Sequence, residues 1–359
     1  MNVLITAPSL DFSQNVNGIS TVVQAIIYHN DKHKYYHYLL GRPDKEQKKM
    51  FLIIQIIKQL TLFPVFLKKN KIMIVHQNLP FNQKGVLREF VINLWCLLFN
   101  VPVILHIHGG ALLMNGTPNK FLLKLSEILL NNSKLVIVLS EIEKESLIIN
   151  YNYHHAKVLN NSIDTSQYCK IRDFKNDKPT LLFLGRIHES KGVLDIITAF
   201  ELLRNDFEFK FILCGIGPLQ DLFVTDCQKI LGNDFEYLGI VSGADKLKVI
   251  GRSDYFLLPS RYGEGLPMAL LETMSAGVVP VVTDDASMKF VVQHLENGIR
   301  VNKYDPQDLY EKMKIILSDA TLYNSLSENA VKTVKDHFDI DNYIVQLNEL
   351  YKLAIINKL

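Results

Sequence analysis

Two glutamates eight residues apart, Glu264 and Glu272, stand around a turn that suits the chemistry of a binding site. An apolar run at 255–258 predicts a buried strand, and the Pro, Ser and Gly residues after it predict a loop. Pro267 suits the first turn of a helix, because its missing N–H costs nothing there. Carboxylates at such a turn accept hydrogen bonds from hydroxyls, and N–H groups at a helix N-terminus hold anions. A sugar diphosphate offers both groups; the plainer alternative is a turn with two solvated glutamates.

A second loop carries two cations five residues apart, Arg186 and Lys191. The apolar run before it predicts a strand that ends at Gly185, and a helix is expected after Gly192. A guanidinium offers a planar fork of donors and an ammonium a point charge, so both can bind a diphosphate. Basic loop residues are usually solvated, so this spacing alone is a weak indication.

The stretch 259–282, PSRYGEGLPMALLETMSAGVVPVV, resembles the signature of the retaining glycosyltransferases of family four, in the large GT-B group. That signature has Pro-Ser, a glutamate before a Gly, a second glutamate eight residues later, and then Ala-Gly-x-Pro-Val-Val. Glu264 and Glu272 occupy the two glutamate positions. The loop with Arg186 and Lys191 matches the family's Gly-Arg and Lys-Gly element without a gap.

The resemblance implies a role for each of these charged residues. Glu272 is expected to bind the ribose hydroxyls and Glu264 a hydroxyl of the donor sugar, while Arg186 and Lys191 hold the diphosphate. Two cations at the leaving diphosphate stabilise the transition state more than the ground state. The family pattern therefore implies a reaction without a metal or other cofactor. It also implies retention by a same-face displacement, in which the leaving phosphate accepts the proton of the acceptor hydroxyl.

Other positions match the family's donor site less strongly. A glycine follows the first predicted strand, a Gly-x-Gly follows a strand near 209–214, and Gly239 and Val241 match the edge that holds the base. The passage Asn161-Ser162-Ile163-Asp164 resembles the family's Asn-Gly-Val-Asp, with serine in place of glycine. The predicted donor-binding residues are Gly18, Asn161, Gly185, Gly215, Gly217, Val241, Gly265, Leu266 and Glu272.

Two histidines end the buried strand predicted within VPVILHIHGG, at positions 106 and 108. The period of two in a strand puts His106 and His108 on the same side. A strand end followed by glycines is where open α/β sheets bind ligands, although a hydrogen-bonded core histidine is the alternative. His108-Gly109 matches the family's pair beside the reacting sugar, so His108 is predicted to orient the sugar or the acceptor hydroxyl.

No metal site is predicted from the histidines or cysteines. His29, His33 and His37 have helical spacing, but the residues between them indicate a helix end and a strand beginning near Tyr35. The four cysteines are scattered without a C-x-x-C pair, which is typical of small core residues in a reducing compartment.

The order of elements predicts an α/β protein of two domains. Strand and helix patterns alternate along 359 residues, enough for two sizeable cores. The resemblance implies a GT-B fold, with two Rossmann-like, doubly wound parallel sheets facing each other across a cleft. We place the first domain at 1–166, joined by a returning C-terminal helix at about 342–359, and the nucleotide-sugar domain at 167–341. Residues 168–179 are interpreted as the linker.

Charge is unevenly distributed along the chain. The first 170 residues carry 18 Lys and Arg against 10 Asp and Glu, and the remainder carries 21 against 27. A basic first half suits an anionic partner. Nucleic acid is not predicted, because no tight basic cluster with interleaved aromatics occurs. No signal peptide is recognised, so we expect a cytoplasmic protein with peripheral attachment to the inner face of the cell membrane.

The segment 45–71 has two interpretations. Lysines flank an apolar stripe that includes Phe51, Ile54, Ile57 and Leu62, as in helices that lie on anionic bilayers. Alternatively, the helix packs on the sheet and its lysines are simply its solvated ends. We favour membrane contact, and we expect partial burial in either case.

The sequence therefore predicts a retaining, metal-independent glycosyltransferase. Its expected donor is a nucleotide-diphosphate sugar, with UDP favoured, and its expected acceptor is a hydroxyl of a glycan or lipid-linked glycan. Bacterial surface polysaccharide synthesis is the expected setting. Two alternatives remain: another GT-B enzyme such as a UDP-N-acetylglucosamine 2-epimerase, and a non-catalytic nucleotide-sugar-binding protein.

Overall fold

The structure, a computed structural model, describes residues 1–11, 18–41, 49–168, 171, 177–262, 264–285 and 287–356. For residues 49–53 and 356 it describes the backbone alone. The chain divides into two compact units. The first comprises Met1–Ser162 together with Ile340–Leu359, and the second comprises Ile163–Asp339.

The first unit is built on a parallel sheet. Its strands are β1 (Asn2–Ala7), β2 (Lys34–Leu39), β3 (Ile74–Leu79), β4 (Val103–Ile107), β5 (Leu135–Val138) and β6 (Lys157–Val158). Among the described residues the sheet order is β2-β1-β3-β4-β5-β6, and all neighbours are parallel. The central strands β3 and β4 are buried along their whole length, as expected where helices cover both faces.

Helices flank this sheet, and the last helix of the chain is one of them. They are α1 (Gly18–His29), α2 (Lys49–Lys69), α3 (Gln83–Leu98), α4 (Ala111–Asn115), α5 (Lys120–Asn132), α6 (Glu141–Tyr151) and α14 (Ile340–Ile356). Helix α14 contacts α1 and β4, and its residues Leu347 and Tyr351 are fully buried. The predicted return of the C-terminal helix to the first unit is confirmed.

The second unit repeats the same architecture. Its strands are β7 (Thr180–Leu184), β8 (Lys210–Cys214), β9 (Phe235–Gly239), β10 (Tyr255–Leu258), β11 (Val279–Thr283) and β12 (Ile299–Val301). Its helices are α7 (Val193–Asp206), α8 (Gln220–Leu231), α9 (Gly243–Gly251), α10 (Met268–Ser275), α11 (Met288–Val291), α12 (Pro306–Ser318) and α13 (Ala320–His337). In the described part of the unit the parallel order is β12-β11-β10-β7-β8-β9.

Each sheet has one point at which the strand order reverses. In the first sheet β1 lies between β2 and β3, and in the second β7 lies between β8 and β10. Loops that leave the carboxyl ends of adjacent strands diverge at such a point and open a crevice. The carboxyl ends of β1 and β3, and those of β7 and β10, are therefore the places where each unit can bind a ligand.

Most elements predicted from the sequence are present, with small shifts at their ends. Pro267 precedes α10 as its N-cap residue instead of opening the helix. Helix α1 ends at His29 and β2 begins at Lys34, so the three regularly spaced histidines do not share a helical face, as expected. Cys96, Cys214 and Cys227 are buried core thiols, as predicted; Cys169 lies outside the described residues.

Some predicted features fall wholly or partly outside the described residues. These are the turn at Asn17, residues 45–48 before α2, and most of the linker at 168–179. Tyr168, at the start of the predicted linker, is buried, and its hydroxyl is hydrogen-bonded to Glu272.

Gly215, which follows β8, occupies a position that only glycine fits without strain. Its φ of +131° is disfavoured for other residues, and a Cβ there would stand 1.8 Å from the carbonyl oxygen of Gly185. Its N–H donates to the Gly239 oxygen at 2.6 Å. The loops after β7, β8 and β9 can therefore approach one another closely because no side chain separates them.

We predict that Gly215→Ala destabilises the protein by roughly 2–5 kcal/mol, since backbone strain and the displaced neighbouring loop add together. Gly232→Ala is the matched control, because Gly232 also has a positive φ, +57°, but open space where a Cβ would stand. Its expected cost is about 1 kcal/mol. Urea unfolding followed by circular dichroism measures both, and equal losses would contradict the close approach of the loops.

Candidate active site

The loops after β7 and β10 meet at the reversal point of the second sheet. The backbone N–H of Arg261 donates to the Ser190 oxygen at 2.8 Å. Gly192 has a φ of +70°, and a Cβ there would stand 2.0 Å from the Pro259 oxygen. The two loops thus pack backbone to backbone, and this contact brings together side chains that are more than 70 residues apart in sequence, including Lys191 and Glu264, which are 73 apart.

Lys191 and Glu264 form an ion pair at this point. The ammonium Nζ of Lys191 donates to Oε1 of Glu264, and the same oxygen accepts the hydroxyl of Ser260 at 2.5 Å. Glu264 is only 6% exposed, and a buried carboxylate without such partners would be strongly destabilising. The structure therefore brings two predicted site residues into contact and adds Ser260, which lies inside the signature stretch but was not singled out.

A second acid positions the backbone of Glu264. The N–H of Glu264 donates to Oδ2 of Asp285 at 3.1 Å, while Oδ1 of Asp285 accepts from Nζ of Lys303 at 2.6 Å. The loop was expected to offer free N–H groups to an anion, and the one at Glu264 is already taken by this carboxylate. Asp285 and Lys303 follow β11 and β12, and no motif in the sequence indicated either of them.

Glu272 is likewise paired with a lysine. It is 3% exposed on α10, and its Oε1 accepts from Nζ of Lys246 on α9 at 2.6 Å. The Tyr168 hydroxyl is also hydrogen-bonded to this carboxylate, and burial together with the carboxylate raises the pKa of Tyr168. The predicted ribose ligand is therefore a buried acid held between a lysine and a tyrosine.

Arg186 differs from the other charged site residues because it is exposed. It follows β7 after Gly185, at the same edge of the sheet as Lys191. Within the described ranges, its guanidinium makes no hydrogen bond or ion pair. Its donors are therefore available to a ligand at the carboxyl edge.

The remaining predicted donor-site residues of the second unit lie at the same edge. Gly185 donates its N–H to the Cys214 oxygen at 3.0 Å, and a Cβ on Gly217 would stand 2.0 Å from the Ile187 oxygen. Val241 is half-buried just after β9. Gly265 and Leu266 precede α10, with Leu266 buried. Their role in donor binding stays a prediction.

Gly18, Asn161 and His108 lie in the first unit. Gly18 is the exposed first residue of α1, and Asn161 is buried after β6. The half-buried His108 follows β4, and its Nε2 contacts Oδ1 of Asn78 at 2.8 Å. The ring centroids of His106 and His108 are 4.2 Å apart, which confirms that both side chains lie on one side of the strand.

The histidines of β3 and β4 form a buried polar chain beneath His108. Nε2 of His76 contacts Nδ1 of His106 at 3.2 Å, and Nδ1 of His76 contacts the hydroxyl of Tyr351 on α14 at 2.8 Å. Burial lowers the pKa of both His76 and His108 to about 3, and that of His106 well below its usual value. All three imidazoles are therefore neutral near pH 7.

The charged groups at the edge of the second sheet can bind anions and hydroxyls. Arg186 and Lys191 supply positive charge, and the two glutamates supply acceptor oxygens. In the part of the chain that the structure describes, no three His, Cys, Asp or Glu side chains are grouped so as to hold a metal ion. Metal independence of any reaction stays a prediction.

Comparison with solved structures gives the class of fold. Over 98% of both chains the structure resembles a sucrose-phosphate synthase of Thermosynechococcus elongatus, with a TM-score of 0.80 and 17% identity. HepE of Anabaena, solved with UDP and glucose, has a TM-score of 0.77 and 16% identity, over 98% of this chain and 99% of its own. Together with the two parallel sheets, these likenesses define the fold as GT-B.

The second unit matches a known family. Residues 164–333 match the family model of glycosyl transferases group 1, which covers almost all of this unit. The resemblance inferred from the signature stretch is thereby confirmed.

Curated relatives are 23–28% identical to this chain over half of its length or more. A Campylobacter jejuni enzyme, N,N'-diacetylbacillosaminyl-diphospho-undecaprenol alpha-1,3-N-acetylgalactosaminyltransferase, is 28% identical over 182 residues, 50% of this chain and 46% of its own. An Escherichia coli enzyme, UDP-Gal:alpha-D-GlcNAc-diphosphoundecaprenol alpha-1,3-galactosyltransferase, is 23% identical over 324 residues, 85% and 82% of the two chains. An uncharacterized glycosyltransferase of Methanocaldococcus jannaschii is 27% identical over 50% of this chain and 46% of its own. The chain spans about half the length of the first curated relatives it matches.

We predict that Lys246→Met destabilises the protein by roughly 2–4 kcal/mol, because it leaves the buried Glu272 carboxylate without its cation. Lys248→Met on the same helix is the control, since Lys248 pairs with Asp245 at 3.4 Å and both side chains are more than three-quarters exposed. It should change stability by no more than ~0.5 kcal/mol. Thermal and urea unfolding measure both variants. Equal losses of stability in Lys246→Met and Lys248→Met would contradict a stabilising role of the Lys246–Glu272 pair.

Proposed function

We propose that this protein is a retaining, metal-independent glycosyltransferase that moves a sugar from a nucleotide-diphosphate sugar to a hydroxyl of a glycan or lipid-linked acceptor. The observation that carries the proposal is the Lys191–Glu264 pair beside the exposed Arg186, at the reversal point of the group 1 unit. A UDP-sugar is the favoured donor, and bacterial surface polysaccharide synthesis is the favoured setting. The Campylobacter and E. coli relatives, whose names describe lipid-linked acceptors, support this choice.

The pairing of Lys191 with Glu264 is compatible with diphosphate binding. An ammonium has three donors, so Lys191 can keep its bond to Glu264 and still donate to a phosphate oxygen. Arg186 can add a bidentate contact to the same group. As the bond to the sugar breaks, negative charge grows on the diphosphate, and both cations then stabilise the transition state more than the bound substrate.

The environment of Glu264 favours hydroxyl binding over covalent catalysis. A carboxylate that already accepts from Lys191 and Ser260 is a weak nucleophile, because those bonds stabilise its charge. The same oxygens remain good acceptors for sugar hydroxyls. We therefore assign retention to a same-face displacement in which the leaving phosphate accepts the acceptor's proton.

The alternative functions differ in what they consume. A 2-epimerase would convert UDP-N-acetylglucosamine with no acceptor present, whereas a transferase needs one. A non-catalytic nucleotide-sugar-binding protein would bind the donor without converting it, whether or not an acceptor is present. Incubating the protein with UDP-N-acetylglucosamine, with and without glycan acceptors, separates the three.

We predict that Arg186→Ala and Lys191→Ala each lower kcat/KM for sugar transfer by ~10²–10³, the usual effect of removing one donor to developing charge. Arg186→Ala should leave the melting temperature unchanged, because the guanidinium has no partner within the described residues. Lys178→Ala is the control, since Lys178 precedes β7 at the opposite edge of the sheet and pairs with Asp234.

Transfer should also persist in EDTA. Near-normal turnover in both Arg186→Ala and Lys191→Ala would contradict the diphosphate role. Loss of activity on chelation, restored by a divalent cation, would contradict metal independence.

We also propose that helix α2 attaches the protein to an anionic membrane surface. Its outward face exposes Ile54, Ile57, Leu62 and Val65, each between 48% and 62%. Its opposite face buries Phe63 against the sheet. The helix therefore combines core packing with an exposed apolar stripe, so the two interpretations of this segment describe opposite faces of one helix.

Charge and a neighbouring helix support this assignment. Lys58, Lys68 and Lys69 are exposed on α2, where they can meet anionic headgroups. The adjacent α3 exposes Leu87, Leu97 and Leu98, and its Trp95 donates to the Leu60 oxygen of α2 at 3.1 Å. Among the described residues, no helix is long and apolar enough to cross a membrane. Contact would therefore be along the surface of the bilayer.

We predict that Ile57→Glu with Val65→Glu weakens sedimentation with phosphatidylglycerol vesicles by at least ~10-fold, because buried apolar contact is lost and negative charge is added. Ile149→Glu on α6 is the control, as that side chain is 80% exposed and lies on another helix. Unchanged sedimentation of the double variant would contradict the membrane proposal. So would release of the Ile149→Glu protein to the same extent.

A further inference from the structure

The amide of Asn78 has a fixed orientation at the reversal point of the first sheet. Its Nδ2 donates to the backbone oxygen of Thr6 at 2.9 Å, and its backbone N–H donates to Oγ1 of Thr6 at 3.0 Å. A flipped amide would set two oxygens against each other at Thr6. The side-chain oxygen Oδ1 therefore faces the other way, toward His108.

This orientation determines where the proton of His108 lies. Nε2 of His108 is 2.8 Å from Oδ1 of Asn78, and an amide oxygen can only accept. Nε2 must therefore carry a hydrogen. In a neutral imidazole the other nitrogen, Nδ1, then has a lone pair and acts as an acceptor.

The surroundings of His108 keep the ring neutral. The titratable groups that face it are His106, whose ring centroid is 4.2 Å away, and His76 behind that ring. Neither is an anion that could stabilise an imidazolium. Burial lowers the pKa of His108 to about 3, so protonation near neutral pH is disfavoured.

Nδ1 of His108 remains available to a ligand. No described residue donates to Nδ1. Buried side-chain atoms without a partner do not include it, so Nδ1 is accessible to solvent. The neighbouring His106 has the opposite property, since its Nε2 is buried without a partner.

We propose that Asn78 is a positioning residue that holds His108 as the neutral tautomer protonated on Nε2, so that Nδ1 accepts a hydrogen bond from a substrate hydroxyl. The assignment of that hydroxyl to a donor or acceptor sugar rests on the proposed glycosyltransferase function. A ring that presents only a lone pair selects hydroxyl donors and repels phosphate oxygens. His108 is therefore a sugar contact and not a diphosphate ligand.

The same geometry restricts the chemistry of His108. An orienting carboxylate would stabilise the imidazolium formed on proton transfer, whereas the neutral amide of Asn78 carries no charge to do so. His108 therefore orients a hydroxyl without taking its proton. This agrees with a displacement in which the leaving phosphate receives the proton.

The direct test is the protonation state of His108 in the full chain without substrate. Histidine labelled with ¹³C and ¹⁵N gives NMR shifts that distinguish the two neutral tautomers and the cation, with His108→Gln assigning the signal. We expect the Nε2-protonated neutral form from about pH 6 to about pH 8. An Nδ1-protonated ring, or an imidazolium in this range, would overturn the inference whether or not the protein transfers sugar.

Variants of Asn78 test whether this residue determines the tautomer of His108. Asn78→Leu, nearly the same shape without an acceptor, should lose the tautomer preference and lower kcat for transfer by ~10-fold or more, because the substrate hydroxyl is no longer oriented. Asn78→Asp keeps an acceptor oxygen, so the Nε2 proton should remain, while the added carboxylate raises the pKa of His108 and moves the pH profile. A residue with a merely structural role would not move that profile.

Gln77→Leu is the matched control for these variants. Gln77 is a buried polar residue on the same strand, but its amide contacts Glu89 at 3.0 Å instead of His108. It should leave the tautomer and the pH profile unchanged. A wild-type tautomer and kcat in Asn78→Leu would overturn the positioning role. If neither Asn78 variant folds, the wild-type spectrum still decides the tautomer and the charge of His108.

Discussion

The candidate site depends on the need to pair a charge that the fold buries. Glu264 stands at the carboxyl edge of a parallel sheet, almost without solvent, and an unpaired carboxylate there would be strongly destabilising. Lys191 neutralises it from the loop after β7, Ser260 adds a hydrogen bond, and Asp285 holds its backbone N–H. The pair thus fastens together the two loops that diverge at the reversal point. Binding and catalysis in the proposed function use the same charges that hold these loops in place.

The sequence allowed the fold and part of the site to be predicted because those features are local. Buried strands appear as short apolar runs, and the two glutamates stand in one continuous stretch with a family pattern. Their partners could not be predicted in the same way. Lys246 lies 26 residues before Glu272, and Asp285 lies 21 residues after Glu264, with no motif joining them. Such pairs arise when loops from different strands meet, which depends on strand order and not on local spacing.

The first unit shows the same limit in two places. The sequence predicts the position of His108 at a strand end. The orientation of its ring depends on Asn78 and Thr6, which come from two other strands. For α2, an apolar pattern around most of the circumference could not distinguish core from surface. Burial separates the faces, with Phe63 inside and Ile57 outside. In both cases tertiary contacts supply the information that periodicity lacks.

The central claim is that the edge of the second sheet binds a diphosphate through Lys191 and Arg186. Calorimetric titration of the wild-type protein with nucleoside diphosphates and with the matching nucleosides tests it most directly, since the two ligands differ only in the group in question. Because charged hydrogen bonds contribute ~1.5–3 kcal/mol each, the account predicts that the preferred diphosphate binds at least ~10-fold more tightly than its nucleoside. Equal affinity of the two ligands would contradict the account.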